Sequence, residues 1–453
     1  MNILLSEIAV AVKGRLVGKD RAVSSFSINT RTLALADLYI AIKGQNFDGH
    51  DFIGKAEIAG ASSVLVEHEC ETDLPQIIVN DSHLALAELA GAWKKRTNVK
   101  LVAITGSNGK TTVKEMIASI LSVNANVLFT QGNLNNDIGV PLTLLKLHEN
   151  HEYAVIEMGA NHSGEIAYSS HYAQPDVAAI TNVGAAHIEG FGSLDGIAKA
   201  KGEIVASLSA NDVAVLNKDD AFYSLWEELA RGKKIISFGL SKPADVNAKE
   251  IKEYVENGAF ICHFLLSTAI GEITIKLGLA GRHNVINALA AVASCLSFGV
   301  GLEQIKQGLE KMKPVVGRLQ PLIGKKGNLV IDDTYNANPS SVKAALDVLI
   351  QCEGEPWFVM GALAEMGVDS IKKHEELGEL IKSKNVAQLL TIGSDAESTS
   401  HSFGRGATFF DSQTELITYL ERKLKGNEVV LIKGSRSQKM EKIVEAIVTD
   451  FRT

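Results

Sequence analysis

Short apolar runs bounded by polar turns alternate with helix-spaced stretches over most of this chain, and the alternation starts afresh twice. Up to about residue 80 the runs "DLYIAIKG", "SSVLVEH" and "PQIIVND" are strand-like and closely spaced, which predicts a small α/β unit. From about residue 85 the runs "VKLVAIT", "AVIEMG", "VAAITNVG", "DVAVLN" and "KIISFG" are separated by helical patterns, as in a parallel sheet covered by helices. Between about 245 and 277 the period falls to two, in "GAFICHFLLS" and "GEITIKLGL", which predicts an antiparallel addition; a helix over about 282–298 follows. After "KMKPVVGRLQP" a third series begins, with strands "NLVIDD", "PWFVMG", "AQLLTIG", "ATFFD" and "EVVLIKG", each followed by a helical stretch.

A chain of 453 residues exceeds what one core serves, so the three series are read as three domains, 1–83, 84–313 and 314–453. The fold class is α/β: a small α/β N-terminal domain, a central parallel sheet with an antiparallel addition, and a C-terminal Rossmann-like domain. With 46% hydrophobic residues, 22% charged and 8 prolines, folded structure is expected nearly throughout. A net charge of −8 argues against a general nucleic-acid or anionic-membrane binder, while leaving room for a local basic pocket. Cys70, Cys262, Cys295 and Cys352 are far apart and read as buried reduced thiols. The start, "MNILLSEIAVAVKGR", reads as a short amphipathic helix without the marks of a signal peptide, and "ALAAVASCLSFGVG" is too short to span a bilayer. A cytoplasmic protein without membrane insertion is expected.

The chemistry starts at "LVAITGSNGKTTVKEM". An apolar strand runs into Thr105, Gly106, Ser107, Asn108, Gly109, Lys110, Thr111 and Thr112, a phosphate loop tighter than the common form, whose first glycine position is here Ile104. Glycines bring backbone N–H groups close to phosphate oxygens, the helix N-terminus favours negative charge, and Lys110 neutralises a transferring phosphoryl group. Thr111 is placed to ligate magnesium. A second strand ends on Glu157, where a carboxylate could hold the same ion opposite Thr111. His187 follows the strand that ends near Asn182, in a Gly/Ala-rich loop where open α/β sheets bind ligands, and is a candidate metal ligand.

Lys201 is anomalous. With Ser193 as N-cap, Leu194, Ile197, Ala198, Lys201, Ile204, Val205 and Leu208 follow helical spacing, so Lys201 lies on the apolar face and Lys199 points away. Either its stem snorkels past the core or its amine serves a site. In "GLAGRHNVINALAAV", Asn284 and Asn287 share a helix face and could meet one flat polar ligand; Asn284 could instead cap the helix. In "VVGRLQ" and "LVIDDTYNANPSSVKAAL", Arg318 suits a phosphate, Asp332 or Asp333 a ribose or amine, and "NPSS" a helix start.

Together "TGSNGKTT", "GNLNNDIGVPLTLL", "EMGANHSGEI", "AAHIEGFGS", "KAKGEI", "GRHNVINALAA", "DDTYNANPSS" and "KGSRSQKME" resemble the ATP-dependent Mur ligase family, over essentially the whole chain. "GNLNNDIGVP", "GANHSGEI" and "YNAN" are most similar to the branch that joins D-alanyl-D-alanine to UDP-N-acetylmuramoyl-tripeptide. The resemblance implies a ligase that passes the γ-phosphoryl of ATP to a carboxylate, making an acyl phosphate for an amine to attack. It implies two magnesium ions, one held by Thr111 and Glu157 and the other served by His187, with Lys201 carrying a carbamate. Lys110, His187 and Lys201 are then the catalytic candidates. It further implies that Asn284 and Asn287 meet adenine and that Arg318 and Asp333 meet phosphate and ribose as the C-terminal domain closes. Thr30, Arg31, Lys43 and His50 become candidates for the UDP end, with Asn29 standing where the family pattern suggests an aspartate. Asn135, Asn136 and Asp137, with Tyr335, Asn336 and Asn338, are expected to border the reacting carboxylate and the dipeptide. A monomer acting on small molecules is expected.

Overall fold

The computed structural model describes residues 2–44, 47–184, 188–256 and 258–450. Its central sheet has six parallel strands in the order Lys234–Phe238, Val213–Asn217, Val177–Ile180, Lys100–Thr105, Tyr153–Glu157 and Val127–Phe129. Both faces are covered, which is why these strands read as apolar runs without alternation. Five of the six were expected; Val127–Phe129, which was not, is a three-residue edge strand only partly buried along its length. In register, Glu157 stands beside Ile104, and Ile180 beside Thr105. The strand ends carrying the phosphate loop, the acidic residue and the Asn182 turn therefore lie together at the carboxyl edge, where open α/β sheets bind ligands.

The antiparallel addition has three strands, Asn247–Glu256, Ala259–Thr268 and Gly271–Leu277. Its middle strand buries Phe260, Cys262, Phe264 and Leu266 in alternation. The last three join the core of the central sheet, whereas Phe260 belongs with Ala280, Val348 and Leu349 to an apolar cluster of the C-terminal domain. The helix Arg282–Leu296 is buried along its length from Val285 to Cys295 apart from Ile286, and packs on the helix Lys110–Leu121. It is a core helix, and no helix of the described residues is long and apolar enough to cross a membrane.

The C-terminal sheet runs Gln320–Ile323, Leu329–Asp333, Glu428–Lys433, Glu355–Gly361, Gln388–Ile392 and Ala407–Phe410; the first strand is antiparallel and the rest parallel. That first strand was not foreseen: it holds Pro321, which an edge position tolerates. In the N-terminal domain a five-stranded sheet orders Arg15–Val17, Gln76–Ile78, Ser63–Val66, Leu38–Ile40 and Phe26–Ser27. The start of the chain departs from the helix expected there: Ile3–Leu4 pairs with Ala22–Val23, and the helix is confined to Leu5–Ala11. The helix Ser82–Lys95, capped by Asp81, sits on the central domain, where Trp93 Nε1 donates to Leu147 O at 3.0 Å. The expected 83/84 division falls in its first turn. All four cysteines are free, but only Cys262 and Cys295 are buried; Cys70 and Cys352 are half-buried, against expectation.

Candidate active site

The tight loop is held by its neighbour strand. Ser107 N donates to Asn182 O (2.9 Å) and Asn108 N to Asn182 Oδ1 (3.0 Å), while Asn108 O accepts from Thr181 Oγ1 (2.6 Å) and Asn182 Nδ2 (3.1 Å). Gly106 has φ +150°, and a Cβ there would lie 1.8 Å from Thr181 Oγ1. Gly109 caps the following helix at φ +82°, and its Cβ would lie 2.3 Å from Asn287 Oδ1. No side chain fits at either position, so the backbone lies close against its surroundings; Asn182 engages the N–H groups of Ser107 and Asn108, which leaves the first turn of the helix at Lys110 to offer N–H groups to an anion. Lys110 folds back over the loop and donates to Gly106 O at 2.8 Å.

Two cavities meet at this loop. The first, about 330 Å³, is lined by Asn108, Gly109 and Thr112 of the loop, by His283, Asn284 and Asn287, and by Arg318, Asp333 and Lys433 across the domain junction. The second, about 250 Å³, is lined by Ser107 to Thr111, Asn135, Asn136, Glu157 and Lys201, with Arg318, Tyr335, Asn336 and Asn338 from the C-terminal side. Arg318 borders both: its guanidinium lies 4.2 Å over the Tyr335 ring, Nη2 stands 3.4 Å from Thr111 Oγ1, and Nε is buried without a partner. The domains also touch directly, since Asn338 Nδ2 donates to Asn108 Oδ1 (2.8 Å) and Asn108 Nδ2 to Ser340 Oγ (2.9 Å).

Charge is concentrated where water is scarce. Lys201 lies on the helix Leu194–Ala206, capped by Ser193 as the spacing indicates, and is 3% exposed. Burial, and then the charge of Lys110, push its amine down to about 7 against the opposing pull of Glu203. Lys110 is lowered too, by burial and by Arg318, with Glu157 opposing. Glu157 accepts from Asn135 Nδ2 at Oε1 (2.8 Å), while Oε2 is buried without a partner. Asp333 pairs with buried Lys433 at 2.6 Å and accepts from Leu319 N. Asp332 points away from both cavities and bonds Thr334.

The chain matches three Mur ligase family models: the catalytic domain over residues 22–101, the middle domain over 104–295 and the glutamate ligase domain over 317–436. It is 41% identical to the UDP-N-acetylmuramoyl-tripeptide–D-alanyl-D-alanine ligase of Escherichia coli, over 99% of this chain and 98% of that one. The chain belongs to the Mur ligase family. Among solved structures, MurF from Acinetobacter baumannii superposes with a TM-score of 0.93 at 37% identity, covering 98% of each chain. MurF ligase from Thermotoga maritima, in complex with ADP, gives 0.83 at 31% identity over 93% of this chain and 96% of that one.

The remaining candidate residues of this Mur ligase lie in several places. Asp137 lines neither cavity; it meets His83 Nε2 at 3.1 Å, beside the join to the N-terminal domain. His50 has both ring nitrogens engaged, Nδ1 with Asp48 and Nε2 accepting from Glu67 N at 2.9 Å, so in this arrangement it braces its loop. Thr30, Arg31 and Lys43 lie in the N-terminal domain away from both cavities. Asn29 Oδ1 accepts from Arg31 N at 3.0 Å, a turn contact that an aspartate could make equally. Thr105 is buried beneath the loop and donates to Met158 O. Asn284 does not cap its helix: Gly281 does, and Asn284 Nδ2 donates to Ala280 O while its Oδ1 accepts from Asn287. Asn338 is the N-cap of the helix Pro339–Leu349, with a reciprocal Ser341 bond, as "NPSS" suggests. His187 lies outside the described residues.

Asn182 and Lys433 were missed as site residues. A lysine ending the buried strand "EVVLIK" is the same anomaly as Lys201 on its apolar helix face, and could have been noticed in the same way.

Proposed function

We propose that this Mur ligase joins D-alanyl-D-alanine to UDP-N-acetylmuramoyl-tripeptide at the expense of ATP, a step in making the peptidoglycan precursor. The observation that carries this reading is the second cavity, where Lys110, Glu157 and Lys201 face Asn135, Asn136 and the Tyr335–Asn338 turn beneath the phosphate loop. The names of the relatives support it, as does ADP in the Thermotoga maritima structure.

In the reaction the γ-phosphoryl group passes to the terminal carboxylate of the tripeptide, leaving ADP and an acyl phosphate. The amine of the dipeptide then attacks the acyl carbon; the C–N bond forms, phosphate leaves and the amine gives up a proton. Carboxylate and ATP repel each other, so cations must be held in place beforehand. Lys110 and Arg318 supply two. The loop orients the phosphates; Asn284, Asn287 and Asp333 line the first cavity, and we assign the two asparagines to adenine and Asp333 to the ribose.

Magnesium fits the remaining donors. Glu157 Oε2 is buried and unpartnered, and the Thr111 hydroxyl is a hard oxygen on the same cavity. An ion held by one or two protein oxygens would keep waters and substrate phosphates as its other ligands. Bound there, magnesium would neutralise phosphate charge during transfer. We assign Lys201 to a carbamate, which would turn the buried lysine into an anion facing the same space, and His187 to a second ion. A uridine nucleotide substrate supports work in the cytoplasm.

The test is omission. Purified protein with ATP, magnesium, UDP-N-acetylmuramoyl-tripeptide and D-alanyl-D-alanine should release phosphate only when both acceptor substrates are present, and yield a UDP-pentapeptide mass. Release from ATP alone would make the protein a hydrolase, and release only with another amino acid or a folate acceptor would make it a sister ligase.

A further inference from the structure

Lys114 is 1% exposed and lies one helical turn beyond Lys110. It lines neither cavity. A buried ammonium needs partners, and it has three: Nζ donates to Thr130 O at 2.7 Å, meets Glu115 Oε1 at 2.8 Å and lies 5.6 Å from the centre of the Phe129 ring. Thr130 is fully buried at the end of the edge strand Val127–Phe129. Its N donates to Val155 O (3.1 Å), and its Oγ1 accepts from the backbone N of Glu157 (3.0 Å). From Thr130 the chain runs to Asn135, whose side chain donates to Glu157 Oε1 and whose carbonyl accepts from Gly159 N at 2.8 Å.

We propose that Lys114 is a positioning residue for the magnesium-binding carboxylate: it anchors Thr130, which fixes Glu157 from behind through its backbone and from the side through the segment carrying Asn135. The proposal rests on Glu157 as the magnesium carboxylate. An edge strand of three residues has few ladder bonds to hold its end, so a fixed charge from the phosphate-loop helix supplies what the sheet does not. The same helix thereby places both Lys110 at the phosphates and, through Thr130, the free oxygen Oε2 that faces the ion. Such supporting contacts set the orientation of a metal ligand and hence its affinity.

The test separates nucleotide binding from the contribution of the metal. ADP binding is measured by calorimetry with magnesium and with a chelator, for the wild type and for Lys114→Met, Thr130→Val and Glu157→Gln, with melting temperatures taken alongside. Lys114→Met and Thr130→Val should leave ADP binding in chelator unchanged and reduce the gain from magnesium by about tenfold. Thr130→Ser, which keeps the hydroxyl, should restore it. If Lys114→Met does not fold, Thr130→Val against Thr130→Ser decides alone. A full magnesium gain in Thr130→Val, or in a folded Lys114→Met, overturns the positioning role while Glu157→Gln loses the gain. If Glu157→Gln also keeps it, the assignment of Glu157 to magnesium has failed instead.

Discussion

Asn338 of the C-terminal domain donates through Nδ2 to Oδ1 of Asn108, a residue of the phosphate loop, at 2.8 Å. Because Asn338 also caps the helix Pro339–Leu349, the loop is tied to a rigid element across the junction. Asn338→Asp should keep the cap, since aspartate caps as well as asparagine, but remove the donor to Asn108. The expected result is a little-changed melting temperature with kcat lowered at least several-fold. An unaltered kcat would mean that this bridge does not support the closed, water-free state that protects an acyl phosphate.

Gly109→Ala places a Cβ 2.3 Å from Asn287 Oδ1, at φ +82°, a region that costs a residue other than glycine on the order of 1–3 kcal/mol. Nucleotide binding should weaken by at least tenfold, with the damage shared between the loop and the asparagine pair. Titration with a fluorescent ATP analogue would read this, and wild-type affinity would refute the packing described for the loop.

Asp333→Asn leaves Lys433 buried with its charge unpaired. The two side chains are 10% and 2% exposed, so the loss should reach about 3 kcal/mol of stability, well above that of a surface pair. Chemical denaturation measures it. Lys433→Met with Asp333→Asn should recover much of the loss, and if the double variant is no better than the single one, the pair is not coupled.

The Lys201 amine, pushed down to about 7, is largely neutral above that value and protonated below it. A carbamate forms only from the neutral amine. Turnover should therefore fall as pH drops through about 7, and added bicarbonate should help most on the acid side. Lys201→Ala should lose most turnover and regain part with short carboxylic acids, with no bicarbonate effect. Full activity in that variant would remove Lys201 from the mechanism.

The three series of elements and the loop were legible because each rests on a local rule: buried parallel strands are continuously apolar, and a glycine-rich turn between strand and helix has few other uses. Lys201 showed itself because a charge broke an apolar helix face. Val127–Phe129 and Gln320–Ile323 were missed: both are short, only partly buried strands at sheet edges, and Pro321 further disguises the second. Leu194 fits the helical spacing yet is 43% exposed, because it lies in the first turn, beyond the packed part of its helix. Roles set by what lies opposite in space were not legible. Asp137 faces His83 and Asn182 cradles Asn108 through contacts distant in sequence.

Phe260 grows from the antiparallel sheet of the central domain but is buried against Val348 and Leu349 on the other side of the junction. Any swing that parts the domains here must wet that ring, at a cost on the order of 2 kcal/mol. The junction thus carries an apolar resistance to parting that owes nothing to the nucleotide and lies outside both cavities.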